Sequence, residues 1–182
     1  FSIEHFNVEP DLIVMGKSIG GGLPLGVIIG KADIIDSLDA PGHLFSMSGN
    51  STVCAAGLKM FEIHERENLN YKSEKMGQYM MNKFNGMKEK YAVIGDVRGL
   101  GLSIAVDLVK DRETMEPNYD AAVKICYRSI QKGVLVIFVG QSALRIQPPL
   151  VITKEQVDKA LSILEESIQE YINGEIDDSA YD

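Results

Sequence analysis

The chain has 182 residues, enough for one domain and a smaller second one. With 45% hydrophobic and 24% charged residues, its composition is that of an ordinary globular protein. The net charge of −8 excludes the basic surface needed to bind nucleic acid or an anionic membrane. No apolar stretch approaches the roughly 20 residues of a membrane-spanning helix, and no signal peptide is recognisable. Cys54 and Cys126 lie in apolar helical patterns without metal-ligand spacing, which predicts buried free thiols in a reducing cytoplasm.

The most informative stretch begins at Asp11 and reads Asp-Leu-Ile-Val-Met-Gly-Lys-Ser-Ile-Gly-Gly-Gly-Leu-Pro-Leu-Gly. The apolar run Leu12–Met15 predicts a buried strand, and residues 25–29 predict a second one. Lys17 directly follows the first strand, where a desolvated ammonium is costly unless it is paired or neutralised. The glycines and Pro24 allow a sharp turn with room for a flat ligand. A lysine in this place suits Schiff-base chemistry with a carbonyl compound.

Two other interpretations of this lysine compete with the Schiff-base role. Lys17 can be a surface lysine that happens to follow a strand, which is the common situation for a lysine. A phosphate-binding loop ending at Gly16-Lys-Ser needs a glycine five positions before Gly16. Position 11 is aspartate, so the phosphate-binding loop fails on spacing.

Residues 10–26 resemble the active-site lysine segment of the class III (omega-type) aminotransferases, with the lysine, the glycines and the proline in register. These are pyridoxal-phosphate enzymes of fold type I. The resemblance implies an α/β fold, made of the C-terminal part of the large domain and a small α+β C-terminal domain. It also implies that Lys17 forms the Schiff base with pyridoxal 5'-phosphate and moves the α-proton of the substrate.

The resemblance implies a division of the chain into four parts. We expect residues 1–68 to end the large cofactor-binding domain, residues 69–92 to form a connecting helix, residues 93–174 to form the small domain, and residues 175–182 to be an acidic tail. Members of the family are typically more than twice as long, so we expect this chain to be the C-terminal part of a longer protein. Several of the family's cofactor-binding groups would lie upstream, which predicts weak or absent turnover by this chain alone.

A polar loop over residues 40–52 precedes a predicted helix. Asn50 and Ser51 are typical helix caps, although hydroxyls and free amides at a helix start can also bind an anion. In the family, a threonine of this loop reaches the cofactor phosphate of the other subunit. The resemblance assigns cofactor binding to Ser46 and its neighbour Met47, and it implies a homodimer with a shared active site. Met47 and Ser51 depart from the residues that are common in the family.

Residues spaced by three and four predict helices over 51–68, 71–91, 119–132 and 153–172. A methionine stripe on the second helix is interpreted as core, and Ile130 on the third is expected to face inward. The alternation from Leu102 to Leu108 predicts a half-buried strand, with a bulge or a close backbone approach at Gly99 and Gly101. Further strands are predicted over residues 134–139 and from residue 143 onward. Arg98 is expected to form a structural ion pair with Asp96 or with a neighbouring residue of its domain.

Arg145 lies inside the last predicted strand, in Leu-Arg-Ile-Gln-Pro-Pro-Leu. An unpaired buried guanidinium is costly, so its partner is either an internal carboxylate or the carboxylate of a substrate held by a bidentate fork. In the family, the arginine of this motif binds the substrate α-carboxylate. The resemblance therefore assigns substrate binding to Arg145.

The function implied by the resemblance is a cytoplasmic aminotransferase that uses an amino acid or an omega-amino acid and a 2-oxo acid acceptor. Residues 40–46 look closer to branched-chain amino-acid epimerases and 4-aminobutyrate-type members than to acetylornithine enzymes. An amino-acid racemase or epimerase of the same fold, similar to isoleucine 2-epimerase, therefore stays open. So does a non-catalytic C-terminal module that only makes dimer contacts. No metal, nucleic acid or membrane partner is expected.

Overall fold

A computed structural model describes residues 1–42 and 44–177 of the chain. His43 of the predicted polar loop and residues 178–182 of the predicted acidic tail lie outside the described residues. The chain divides into two compact units, Phe1–Asn68 and Leu69–Asp182. In the described ranges, no helix combines the length and the apolar character that crossing a membrane requires.

The first unit contains a short antiparallel ribbon followed by a helix. Its elements are a 3₁₀ turn at Ser2–Phe6, β1 at Leu12–Met15, a 3₁₀ turn at Lys17–Gly20, β2 at Val27–Gly30, α1 at Ala32–Ile35 and α2 at Ser51–Arg66. β1 and β2 pair with Leu12 opposite Gly30 and Met15 opposite Val27. Both strands were predicted near these positions, but the expectation that the first is buried is wrong. Val14 is 76% exposed, because a two-stranded ribbon leaves most of its faces uncovered.

Helix α2 begins where the sequence predicts it. The side-chain oxygen of Asn50 accepts a hydrogen bond from the N–H of Val53 at 3.2 Å and so caps the first turn. This confirms the predicted capping role of Asn50. The helix ends at Arg66, two residues before the predicted end.

The second unit is an antiparallel sheet with helices on one face. Its elements are α3 at Leu69–Lys90, β3 at Ile94–Leu100, β4 at Ser103–Asp111, β5 at Glu116–Pro117, α4 at Tyr119–Gln131, β6 at Ile137–Val139, β7 at Ala143–Ile146 and α5 at Lys154–Ile172. The strand order is β3-β4-β7-β6, and β5 pairs with β4. The structure replaces the single strand predicted around Leu102 with the β3–β4 hairpin. Gly101, at φ +54, reverses the chain there, and Leu100 pairs with Ser103.

One face of the sheet and the three long helices enclose the core. The most deeply buried large side chains include Phe84, Ile94, Val106, Leu108, Ile125, Leu144, Val157 and Ile168. Met80 and Met87 of α3 are buried in the same cluster, which confirms the core interpretation of the methionine stripe. Ile130 is 43% exposed, so its expected inward orientation is wrong. Ser129 takes the buried position, and its hydroxyl donates to the carbonyl of Ile125 at 2.7 Å.

The ends of α4 and α5 follow the predicted local chemistry. Gly133, at φ +92, follows the end of α4 as a left-handed glycine. At the start of α5, the Thr153 hydroxyl accepts the N–H of Gln156 at 3.2 Å, and the Gln156 side chain accepts the N–H of Thr153 at 3.0 Å. This reciprocal pair is the predicted capping box.

Helix α3 lies directly against the β3–β4 turn. A Cβ atom at Gly77 would lie 2.7 Å from the Gly101 Cα and would overlap the Gly101 carbonyl. Beside this contact, the hydroxyl of Ser73 accepts the N–H of Leu102 at 3.1 Å. The predicted close backbone approach is confirmed at Gly101 and also at Gly99, where a Cβ would lie 2.8 Å from the Ile104 Cα. The register irregularity of β3 lies between Ile94 and Asp96, not at either glycine.

Gly77→Ala and Gly86→Ala are expected to change stability in opposite directions. Both residues lie inside α3, but a Cβ at Gly86 meets no atom within 4 Å. Gly86→Ala should therefore raise the free energy of unfolding by about 0.5–1 kcal/mol, because alanine favours the helix. Gly77→Ala should lower it by about 1–3 kcal/mol, because the turn backbone must move.

The measurement is urea unfolding followed by circular dichroism at 222 nm. Equal midpoints for the Gly77→Ala variant and the unaltered protein would contradict the close backbone packing of α3 on the turn.

Candidate active site

Lys17 begins the 3₁₀ turn that follows β1, and its backbone lies in the left-handed region at φ +55. A residue other than glycine in this region is uncommon, and the strain of about 1 kcal/mol or more is typical of functional positions. Its side chain is exposed, so the expected desolvation is wrong for the described part of the chain. Its amine makes no hydrogen bond or ion pair with any described residue. The structure therefore presents a free primary amine at the end of β1.

Helix α2 packs against the turn that carries Lys17. Ile19 and Gly20 of the turn are buried. Leu25, which precedes β2, lies between the turn and the helix, and a Cβ at Gly20 would lie 3.0 Å from the Cβ of Leu25. From the other side, a Cβ at Gly57 would lie 2.8 Å from the Leu25 Cδ2 and 3.3 Å from the Ile19 carbonyl oxygen. Sequence reasoning missed Gly57, although a glycine inside a helix has a cost in stability that points to close packing.

The loop ahead of α2 exposes the residues assigned to the cofactor. Ser46 is exposed and its hydroxyl bonds to no described residue, while Met47 is 71% exposed. The backbone around them is turned, because the Ser48 N–H donates to the Phe45 carbonyl at 3.0 Å. A further bond at 3.3 Å joins the Asn50 N–H to the Met47 carbonyl. The cofactor roles of Ser46 and Met47 stay predictions.

In the second unit, the sheet face opposite the core carries two arginines in one cross-strand row. Arg98 on β3 pairs with Ala105, which pairs with Arg145 on β7. The Arg98 guanidinium contacts Asp107 and donates to the carboxylate of Asp96 at 3.0 Å. The hydrogen bonds that Arg98 donates to Asp107 and Asp96 raise the pKa of Arg98, and the one to Asp96 lowers the pKa of that carboxyl group. The predicted ion pair of Arg98 is confirmed, with Asp107 as an additional partner.

Arg145 is exposed rather than buried, because the alternation of β7 places Leu144 and Ile146 in the core and Arg145 on the opposite face. Its guanidinium donates to the side-chain oxygen of Gln147. Among the described residues no carboxylate pairs with it, so the internal ion pair considered from the sequence is not found there. Its charge is available to an anion.

Comparison with known proteins shows which family the chain represents. The family model described as "Aminotransferase class-III" matches residues 1–168. The chain belongs to the class-III aminotransferase family. The family is dependent on pyridoxal phosphate, and the fold corresponds to the C-terminal portion of fold type I.

Curated relatives in this family include both racemases and aminotransferases. The chain is 47% identical to a leucine/methionine racemase of Thermococcus litoralis, over 99% of this chain and 41% of the relative. It is 43% identical to an isoleucine 2-epimerase of Lentilactobacillus buchneri, over 97% and 39%. It is 40% identical to a probable 4-aminobutyrate aminotransferase of Bacillus subtilis, over 93% and 39%. The chain thus spans about two fifths of the length of these relatives.

A solved structure of a Bacillus anthracis aminotransferase superposes with a TM-score of 0.87 and is 30% identical in sequence. The superposition covers 93% of this chain and 41% of the other. The class-III chemistry fits two groups of this chain. The amine of Lys17, which bonds to no described residue, is the type of group that condenses with an aldehyde, and the hydroxyl of Ser46 is a donor that a phosphate could accept. Among the described residues, no group of three or more His, Cys, Asp or Glu side chains could hold a metal ion.

Gly57→Val is expected to displace the Lys17 turn, because the added side chain would overlap Leu25 and the Ile19 carbonyl. Ala55→Val is the matched control, since Ala55 is exposed on the same helix. Hydrogen exchange of the amides of residues 17–23, measured by mass spectrometry, should increase in Gly57→Val and stay near the original rate in Ala55→Val. Equal exchange in both variants would contradict the proposed packing of α2 on this turn.

Proposed function

We propose that this chain supplies the reactive lysine and the carboxylate-binding arginine of a pyridoxal-phosphate-dependent enzyme that acts on an amino acid. The observation that carries the proposal is the free amine of Lys17, held in a strained backbone conformation within a segment that the class-III family model matches. By the same proposal, residues 1–68 end the large domain, residues 69–92 form the helix that connects the two domains, and residues 93–174 form the small domain.

Bound pyridoxal phosphate would supply the electron sink that makes removal of the substrate α-proton feasible. Lys17 would hold the cofactor through its Nζ and would be the base that takes the proton from Cα. The Arg145 guanidinium binds the substrate carboxylate, which its free donors and uncompensated charge suit. Ser46 offers its hydroxyl to the phosphate of the cofactor bound by the other subunit.

The first candidate reaction is transamination of an amino acid or an omega-amino acid with a 2-oxo acid acceptor. The family description and the identity of 40% to a probable 4-aminobutyrate aminotransferase support it. In this reaction Lys17 would not return the proton to Cα, and the amino group would pass from the substrate to the 2-oxo acid, which becomes an amino acid.

The second candidate is racemisation or epimerisation. It is favoured by the identities of 47% and 43% to a leucine/methionine racemase and an isoleucine 2-epimerase. In this reaction a proton returns to the opposite face of Cα, and no 2-oxo acid is consumed. Lys17 and Arg145 have the same roles in both reactions.

We also propose that the protein is a homodimer with a shared site. Large apolar side chains of the first unit are exposed, and such surfaces commonly mark an interface. They include Phe6, Val14, Leu44, Phe45, Met47 and Leu58.

Borohydride reduction in the presence of pyridoxal phosphate is expected to leave one stable adduct on Lys17. The reason is that its amine is free and lies in the turn that the family match covers. Peptide mapping by mass spectrometry should find that Lys17→Ala loses this adduct. Lys159→Ala, which removes an exposed lysine of α5, should keep it. Labelling spread evenly over the exposed lysines would contradict the proposed role of Lys17.

The two candidate reactions predict different products from L-isoleucine. The protein that carries this chain should be loaded with pyridoxal phosphate and assayed in D₂O with and without 2-oxoglutarate. Epimerisation yields α-deuterated D-allo-isoleucine without the acceptor, whereas transamination yields the 2-oxo acid in excess of one equivalent of enzyme only when the acceptor is present. Both products should disappear in Lys17→Ala. Formation of neither product, together with no deuterium incorporation at Cα of leucine or at C4 of 4-aminobutyrate, would contradict the proposal.

A further inference from the structure

The outer face of the second unit treats its two arginines differently. Arg98 is neutralised by Asp96 and Asp107, whereas Arg145, two strands away in the same row, has a neutral glutamine as its partner. Gln147 is itself held by a second bond, because its side-chain nitrogen donates to the hydroxyl of Ser103 at 2.8 Å. The side chains of Ser103, Gln147 and Arg145 thus form a continuous chain of hydrogen bonds, here called the relay, from β4 to the guanidinium.

The direction of each hydrogen bond in this relay follows from the chemistry of the Arg145 guanidinium. A guanidinium has five N–H donors and no acceptor, so the amide oxygen of Gln147 must face Arg145. The amide NH₂ then faces Ser103, whose hydroxyl accepts. Ser103 begins β4 directly after the β3–β4 turn, and β4 pairs with β7 through Ala105 and Arg145. Strand β4, which pairs with β7 at Arg145, therefore also carries Ser103, whose hydroxyl orients the Gln147 side chain.

We propose that Gln147 is a positioning residue for Arg145, which orients the guanidinium through a neutral hydrogen bond and leaves its positive charge free for the substrate carboxylate. This inference rests on the proposed function, in which Arg145 binds that carboxylate. Only one of the guanidinium donors is used by Gln147, and the others remain for a bidentate ligand. A glutamate at this position would have the same length but would neutralise the charge.

The proposal predicts that substitutions at Gln147 weaken the binding of carboxylates specifically. In the protein that carries this chain, loaded with pyridoxal phosphate, Gln147→Glu should weaken 4-methylpentanoate at least about tenfold, because the new carboxylate competes for Arg145. Gln147→Met, which keeps the size and removes the bonds, should weaken it about threefold to tenfold. Affinity for the neutral 4-methylpentanamide should not change in either variant.

The measurement is isothermal titration calorimetry with these two ligands, together with thermal unfolding of each variant. Ser103→Ala should weaken 4-methylpentanoate binding in the unaltered background and have no further effect in Gln147→Met, because both act through one relay. Gln141→Glu adds the same charge to an exposed residue of the preceding turn and should leave both affinities unchanged.

The outcomes separate the two levels of the proposal. If Arg145→Met weakens 4-methylpentanoate but Gln147→Glu and Gln147→Met do not, the positioning role is refuted and the role of Arg145 stands. If Arg145→Met leaves the affinity unchanged, or if the unaltered protein binds acid and amide equally, the carboxylate role of Arg145 is refuted and the positioning role with it. Equal weakening of acid and amide by Gln147→Met would indicate a general structural defect and would also overturn the inference.

Discussion

The contact between the backbones of Gly77 and Gly101 is the constraint on which the second unit depends. It leaves no space for a side chain between helix α3 and the β3–β4 turn, and the bond from Leu102 to Ser73 fixes the turn beside it. The turn sets where β4 begins. The pairing of β4 with β7 then sets which side chains of β7 enter the core. The close packing of Gly77 against Gly101 therefore also determines on which face of the sheet Arg145 lies.

The alternation of β7 separates the core from the sheet face that carries Arg145. Leu144 and Ile146 stabilise the fold on one side of the sheet, and Arg145 stands on the other. A guanidinium on an uncovered face avoids the desolvation cost that burial imposes. Its partner Gln147 is neutral, whereas the partners of Arg98 are carboxylates. This difference distinguishes the proposed role of Arg145 from the structural role of Arg98. The same strand supports both stability and the proposed recognition of a carboxylate, with little interference between them.

Local chemistry made much of the fold predictable from the sequence. Helices α2 to α5 follow the spacing of apolar residues, and Asn50, Gly133 and Thr153 mark helix ends through hydrogen-bonding and backbone rules that act within a few residues. The hairpin at Gly101 was missed because alternation on both sides of a two-residue turn looks like one strand. The exposure of β1 was missed because an apolar run indicates that a surface needs covering without saying what covers it.

The candidate site was predictable only in part. Lys17 and Arg145 stand out because a charged residue beside or within an apolar strand conflicts with its surroundings. Gly57, Gln147 and Ser103 fit their local sequence, so nothing marks them there. Their importance comes from contacts between segments that are distant in sequence. The left-handed backbone of Lys17 has a consequence for protein engineering. Glycine or asparagine would fit this conformation with less strain, so a stability-guided redesign would select against the lysine. Position 17 must therefore be held constant in any such effort, because the less strained residues lack the primary amine that the proposed chemistry requires.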